Sequence, residues 1–284
     1  MGMDSKRLFL LAGYDKFGVV DDALRLYVRA LNKCGDVVCV MDSDCAPAEL
    51  QKLEGLTVYA AAERHEEYDF GSYKRAYVWA CENLNLDDYD FVYLVNDSVF
   101  GPLYDLMPYL KKMEDRKWDA FGIVKNPHPN HPHIQSWFVG MKKSVAMTSW
   151  FDAFMRGIVK LKTKGEITSR YEQGLTRLFV DNGMTWGCLY VERGRGVYNH
   201  VKKLYRAKMP FMKKVALNRH RGALGAQIEY VLRRVEPGMR DAIFESGARI
   251  YGDGYMKWLM TRNPIKICWR RVRYAIYKLF VEGV

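Results

Sequence analysis

Over its first 126 residues the chain alternates short apolar runs with longer segments whose apolar residues recur at helical spacing. Few folds satisfy such a pattern. Lys6–Ala12 reads as a strand, and the helix after it repeats Ala23, Leu26, Tyr27, Ala30 and Leu31, with Gly35 at a C-cap position. Residues 36–43 read as a second strand, 46–55 as a short helix with proline near its first turn, and 56–62 as a third strand. A helix within 68–90 carries the stripe Tyr73, Ala76, Tyr77, Ala80 and Cys81. "FVYLVND" then has the near-continuous apolar character of a buried parallel strand. A helix within 103–119, a strand at 120–126 and one more strand and helix in 133–158 continue the series. Beyond Gly165 the pattern is less regular, with a helix over 171–182 and a glycine-broken stretch at 192–199. This order predicts a mostly parallel sheet with crossover helices.

A chain of 284 residues can bury a full core as one large domain or as a domain with an appendage, and 49% hydrophobic residues exclude disorder. Cys34, Cys39, Cys45, Cys81, Cys188 and Cys268 form no CxxC pair, so neither a zinc site nor a disulfide framework is expected. Reduced thiols in a cytosolic protein are the simpler reading. The apolar run Leu8–Ala12 is too short for a signal-peptide core or a membrane span, and position 6 lacks the Ser or Thr of a myristoylation signal. No export is expected.

The net charge of +11 is unevenly placed. Residues 201–284 hold 19 Lys and Arg against 6 Asp and Glu, leaving 25 against 27 for residues 1–200. An anionic partner for the C-terminal part follows. At the end of the chain Ile265, Trp269, Val272, Ile276 and Leu279 recur at helical steps, with Lys266, Arg270, Arg273 and Lys278 largely on other faces. Such a basic amphipathic helix suits an anionic membrane surface, or else packs on the domain with its charges in water. No nucleic-acid-binding module is recognisable, and phosphate tracking needs no apolar stripe, so nucleic acid is not the expected partner.

In open α/β sheets ligands bind beyond the carboxyl ends of the strands, and Asn96-Asp97-Ser98 falls at such an end. One carboxylate beside two polar oxygens suits a hard cation, Mg²⁺ or Mn²⁺, that takes its other ligands from a diphosphate. The same three residue types also make ordinary turns and caps. Upstream, "DFGSYKRA" opens a helix with Asp69, Gly71, Ser72 and Lys74, in which glycine, a helix N-terminus and a Lys all favour phosphate. His128, His131 and His133 lie close together, but prolines extend the segment and no Cys or carboxylate joins them. A sugar cleft lined by His133, Gln135 and the Trp137 ring fits better than zinc.

"YDFGSYKRA", "YLVNDSVFGP", "HIQSWFVG", "YEQGLT" and "PFMKK", in this order, make the chain resemble the rhamnan synthesis protein F family of bacterial polysaccharide glycosyltransferases, from about Leu8 to Lys214. The resemblance implies a GT-A (Rossmann-like) mixed, mostly parallel sheet flanked by helices over residues 1–214. Residues 215–284 lie outside the resemblance, and the amphipathic pattern alone makes them a basic helical extension expected on the membrane surface. The resemblance implies transfer of rhamnose or galactose from a UDP- or dTDP-linked donor to a lipid-linked or growing cell-surface glycan such as O-antigen, with inversion, at the inner face of the cell membrane. A catalytically inactive scaffold in a polysaccharide-synthesis complex is the alternative. Asn96-Asp97-Ser98 would stand where related enzymes carry Asp-x-Asp, with only its central residue a carboxylate. Asp97 would then bind metal or the donor sugar, with Lys74 and Lys125 supplying charge to the diphosphate. Glu172, near a helix start where the dipole also favours Glu, would be the base on the acceptor hydroxyl. His200 would be a late metal ligand or a structural His. Tyr14 and Asp15 would meet the nucleoside or simply form a turn.

Overall fold

The structure, a computed structural model, describes residues 5–281, with the side chains of Tyr274 and residues 277–281 excepted. Readings of the first four residues, and of the Lys278 and Leu279 side chains, lie outside what is described. Two compact units form. The first runs up to Val20 and takes Leu24–Ser98 and Asp105–Gly194; the second takes Asp21–Ala23, Val99–Tyr104 and everything from Arg195 onward. The division at Gly194–Arg195 falls some twenty residues before Lys214, where the resemblance ends, and residues 195–214 belong to the second unit.

In chain order the strands are β1 (Arg7–Gly13), β2 (Asp36–Met41), β3 (Tyr59–Ala62), β4 (Phe91–Asn96), β5 (Val99–Phe100), β6 (Ala120–Asn126), β7 (His133–Ile134), β8 (Phe138–Lys142), β9 (Trp186–Val191) and β10 (Met212–Lys213). The first unit holds one eight-stranded sheet in the order β3-β2-β1-β4-β8-β6-β7, with β9 also beside β6. β1–β4 pair in parallel; β8 runs antiparallel to both β4 and β6, so β6 and its parallel neighbour β9 regain the original direction. The expected mixed, mostly parallel sheet flanked by helices is what forms.

Helices of this unit are α1 (Asp22–Asn32, its first two residues in the other unit), α2 (Pro47–Gln51), α3 (Tyr68–Asn83), α4 (Met107–Glu114), α5 (Lys143–Ala146), α6 (Ser149–Arg156), α7 (Lys164–Ile167) and α8 (Gln173–Asp181). Every residue of β1 is buried, as a strand covered on both faces requires. On one face Leu8, Leu10 and Leu94 join the α3 residues Phe70, Tyr73, Ala76, Tyr77 and Ala80 in a core that extends to Phe151 of α6 and Phe179 of α8. On the other, Tyr93 stacks on Phe9 at 4.9 Å and meets Phe121 and Phe138 edge-on. Gly35 does not act as a left-handed C-cap. A Cβ there would stand 2.2 Å from the Arg7 carbonyl oxygen, so close approach to β1 is what requires glycine.

In the second unit β5 pairs antiparallel with β10, and Gly101, at φ +143°, turns the chain just after β5. Its helices are α9 (Gly196–Asn199), α10 (Val201–Arg206), α11 (Gly225–Leu232), α12 (Pro237–Tyr251), α13 (Asp253–Leu259) and α14 (Pro264–Val281). On α14 the expected stripe faces solvent: Ile265 is 76% and Trp269 69% exposed, and Val272 and Ile276 are exposed too. The buried residue is Arg270, read as a solvated charge. Its Nη1 donates to the Leu259 carbonyl at 2.9 Å and its guanidinium lies 4.9 Å from the Trp258 ring. Burial lowers its pKa.

Candidate active site at the carboxyl ends of the parallel strands

From β1 the chain steps outward to β2 and β3 and then returns to β4 on the other side of β1. The gap between β1 and β4 is therefore a topological switch point, where an open α/β sheet forms a crevice beyond its strand ends. Asp97 sits there. Its N–H donates to the Ala12 carbonyl at 3.1 Å, and its Oδ1 accepts the Tyr14 N–H at 3.2 Å, which ties the end of β4 to the loop after β1. The residue is 8% exposed. Its charge adds to burial in raising the pKa values of Tyr27 and Cys39, so a buried negative charge at this point is felt by its neighbours.

Asn96 and Ser98 hold the triplet together. Asn96 Oδ1 accepts both the N–H of Ser98, at 3.1 Å, and its hydroxyl. Asn96 Nδ2 donates to Asp69 Oδ2 at 2.7 Å, joining the strand end to the first turn of α3. The Asn96 N–H donates to the Trp137 carbonyl, which brings in the 135–137 loop. There Gln135 and Trp137 are buried and bond each other, Trp137 Nε1 donating to Gln135 Oε1 at 2.9 Å. Their polar atoms fix the loop, which displaces the expected role of the Trp137 ring as an open stacking face. Tyr73, a residue the sequence reading placed in the core alone, donates its hydroxyl to the Ser136 carbonyl at 3.0 Å. Burial raises its pKa, with Asp69 next in effect and Glu172 also contributing.

Glu172 ends a π-helical turn, Thr168–Glu172, that leads into α8. Its side chain is 24% exposed, with Oε1 3.7 Å from His133 Nε2. The other ring nitrogen, His133 Nδ1, lies 2.7 Å from the His131 carbonyl, so it carries the proton and Nε2 faces the carboxylate. Glu172 thus meets His133 at a π-helical turn, a rare helix form frequent at functional sites.

Other members of the expected set are engaged elsewhere. Gly71 is required by packing, since a Cβ would stand 2.3 Å from Glu67 Cβ and 2.8 Å from His65 Cε1. Ser72 is fully buried, its hydroxyl 2.9 Å from His65 Nε2. Lys74 donates to the Ile158 carbonyl at 2.8 Å. The phosphate cradle expected of "DFGSYK" is therefore not formed, and Asp69 and Tyr73 are the members of that motif that meet Asn96 at the strand end. Lys125 Nζ lies 4.7 Å over the Trp186 ring. Asp15 holds its own loop, accepting the N–H groups of Phe17 and Val19, so turn chemistry accounts for it. The Tyr14 ring is half exposed, under the Arg64 guanidinium at 5.4 Å. His200 belongs to the second unit, exposed between α9 and α10. Among the described residues no three or more His, Cys, Asp or Glu side chains gather as a metal site.

The sequence reading missed Asp42, although it is marked, like Asp97, by an acidic residue closing an apolar strand. Buried at the end of β2, its Oδ1 accepts Arg64 Nη1 and the N–H groups of His65 and Glu66 at 2.9–3.1 Å. This pins a loop in which Glu66 and Tyr68 both take left-handed backbone, at φ 58° and 59°. His65 Nδ1 accepts the Glu67 N–H at 3.1 Å, so Nε2 carries the hydrogen donated to Ser72. Burial, then Arg75, lowers the His65 pKa. With the unfolded value at about 6.5, the unfolded chain binds the extra proton as pH falls below it. Stability is complete above that pH and is lost on acidification toward the lower folded value. Thermal melts from pH 7.5 to 5 should show a Tm decline that is smaller in His65→Gln.

The family model for rhamnan synthesis protein F matches residues 37–265, reaching 51 residues past the end of the resemblance at Lys214. No curated protein matches the chain. Among solved structures, a candidate nucleotide-diphospho-sugar transferase from Desulfovibrio desulfuricans G20 is similar at 15% identity and TM-score 0.46, over 90% of this chain and 98% of that one. Core-mannan synthase A from Aspergillus fumigatus, in a Mn/GDP form, is similar at 12% identity and TM-score 0.30, over 53% and 63%. The mannosyltransferase Ktr4p from S. cerevisiae is similar at 10% identity and TM-score 0.32, over 53% and 59%.

Proposed function

Because the chain belongs to the rhamnan synthesis protein F family, we propose that it is a glycosyltransferase whose nucleotide-sugar donor binds at the β1–β4 switch point. The observation that carries this reading is the buried Asp97 carboxylate at the end of a central parallel strand, bonded to the loop after β1. That loop would receive the nucleoside, with the half-exposed Tyr14 ring as its stacking surface. Asn96, Ser98 and Asp69 bond one another on either side of Asp97, and Tyr14 and Ala12 bond Asp97 itself, so the strand end would meet the donor without reorganising.

Oxygen donors alone suit Mn²⁺ or Mg²⁺. Asp97 would hold such an ion while the diphosphate and water complete its shell, and the ion would neutralise charge on the leaving diphosphate. Glu172 would accept the proton of the acceptor hydroxyl, consistent with inversion, with the His133 ring beside it at 3.7 Å. The donor is a UDP- or dTDP-linked sugar of rhamnose or galactose type, and the acceptor a lipid-linked or growing cell-surface glycan such as O-antigen. Calorimetric titration of UDP, dTDP and GDP, with and without Mn²⁺, tests this. One nucleotide should bind far more tightly than the others, and binding by none would remove the reading.

Among the described residues no helix is long and apolar enough to cross a membrane. α14 instead supports attachment to a membrane surface. Its apolar stripe stands in solvent, Lys266, Arg271 and Arg273 are exposed, and this part of the chain carries the basic excess. In vesicle sedimentation the protein should bind anionic lipid over neutral lipid, and Ile265→Ser/Trp269→Ser should weaken binding by about tenfold or more. Unchanged binding would exclude α14 as the anchor.

A further inference from the structure

An open groove of about 370 Å³ lies between α6 and the 170–181 helical segment, apart from the switch-point crevice. Its size falls in the range of small-ligand sites, roughly 300–1,000 Å³. Ala153 of α6, Gly157 just after it and Gly174 of α8 leave the space open, and Phe154 gives it an aromatic wall. Arg170, Gly174 and Arg177 recur at helical steps and line it together. Arg177 Nη2 donates to the Ser169 carbonyl at 3.1 Å, and Arg170 lies 5.7 Å from the Tyr171 ring. Among the described residues neither guanidinium has a carboxylate partner, although Asp181 lines the same groove.

Guanidinium forks match the planar oxygens of carboxylate or phosphate, while an aromatic wall suits a sugar ring. We propose that this groove is a second saccharide site, which holds an oxyanion-bearing sugar of the acceptor chain. The proposal rests on the glycosyltransferase reading. Glu172, two residues from Arg170 and two from Gly174, lies on the other side of the same helical segment and outside the groove lining, so the acceptor chain would pass round this segment to bring its hydroxyl to the base. Binding energy from this remote part of the acceptor would then serve to orient the reacting hydroxyl.

The test is titration of the full chain with trigalacturonate, glucose 6-phosphate, neutral maltotriose and inorganic phosphate, followed by saturation-transfer NMR and calorimetry. Trigalacturonate or glucose 6-phosphate should bind at least about tenfold more tightly than maltotriose, and whichever binds names the oxyanion as carboxylate or phosphate. Arg170→Gln/Arg177→Gln should lose that preference. Gly174→Leu should block both ligands while remaining folded, since a Cβ at Gly174 meets only the Ser169 carbonyl, at 3.7 Å, and leucine favours helix over glycine. Equal binding by either variant, binding of neither sugar anion at millimolar concentration, or equal binding of inorganic phosphate would overturn the site. Nucleoside diphosphate binding, measured in the same samples, should be unchanged in both variants. Its absence from the wild type would instead mark failure of the donor reading.

Discussion

Asp97→Asn should lower sugar transfer by about 100- to 1,000-fold while leaving the fold intact. Asparagine keeps the Oδ1 that accepts the Tyr14 N–H, so the link between β4 and the β1 loop survives and the stability cost should stay within about 1 kcal/mol. What disappears is the negative charge at the switch point, and with it the group that would hold a cation against the diphosphate. Asp97→Ala should give the same loss of transfer with a larger fall in Tm, because the Tyr14 N–H then lacks its partner. Parallel measurement of transfer rate and thermal unfolding separates the two effects. An active Asp97→Asn enzyme would move the donor site away from this strand end.

Glu172→Gln should reduce kcat by about 100- to 10,000-fold with little change in nucleotide affinity. Glutamine has the shape of glutamate and cannot take the acceptor's proton, so the loss falls on the chemical step. The position supports the assignment. The side chain ends a π-helical turn, is partly open to solvent, and faces a His133 ring whose other nitrogen is fixed by the His131 carbonyl. His133→Gln, which leaves the carboxylate but removes its neighbour, should cost less than Glu172→Gln. Equal losses would indicate that His133 and Glu172 work as a unit.

The parallel strands β1 to β4 and β6 were legible in the sequence because each is a short apolar run closed by polar residues; β1, β2, β4 and β6 are largely buried, and β3, at the sheet edge, is half-buried. β9 was not: "WGCLYV" is only half buried, and its glycine serves to admit the Trp118 ring, to which a Cβ would stand 2.1 Å away. The reversal at β8 leaves no local signal, since an antiparallel central strand reads like a parallel one. At the site, Asp97 was visible from its place at a strand end. Gly71, Ser72 and Lys74 misled because glycine, serine and lysine at a helix start suit phosphate and packing equally, and only the His65, Glu67 and Ile158 contacts decide. Arg270 shows the same limit from the other side. Helical spacing identified the two faces of α14, and the membrane-surface reading needs its apolar face unpacked, but neither showed that a guanidinium of the basic face would be buried.

The most direct test is release of nucleoside diphosphate from a panel of UDP-, dTDP- and GDP-sugars, comparing wild type with Asp97→Asn at matched folded fraction. Release from at least one donor by the wild type, lost in the variant, is the predicted result. No release from any donor, or equal release by both proteins, would contradict the placement of a glycosyltransferase donor site at Asp97.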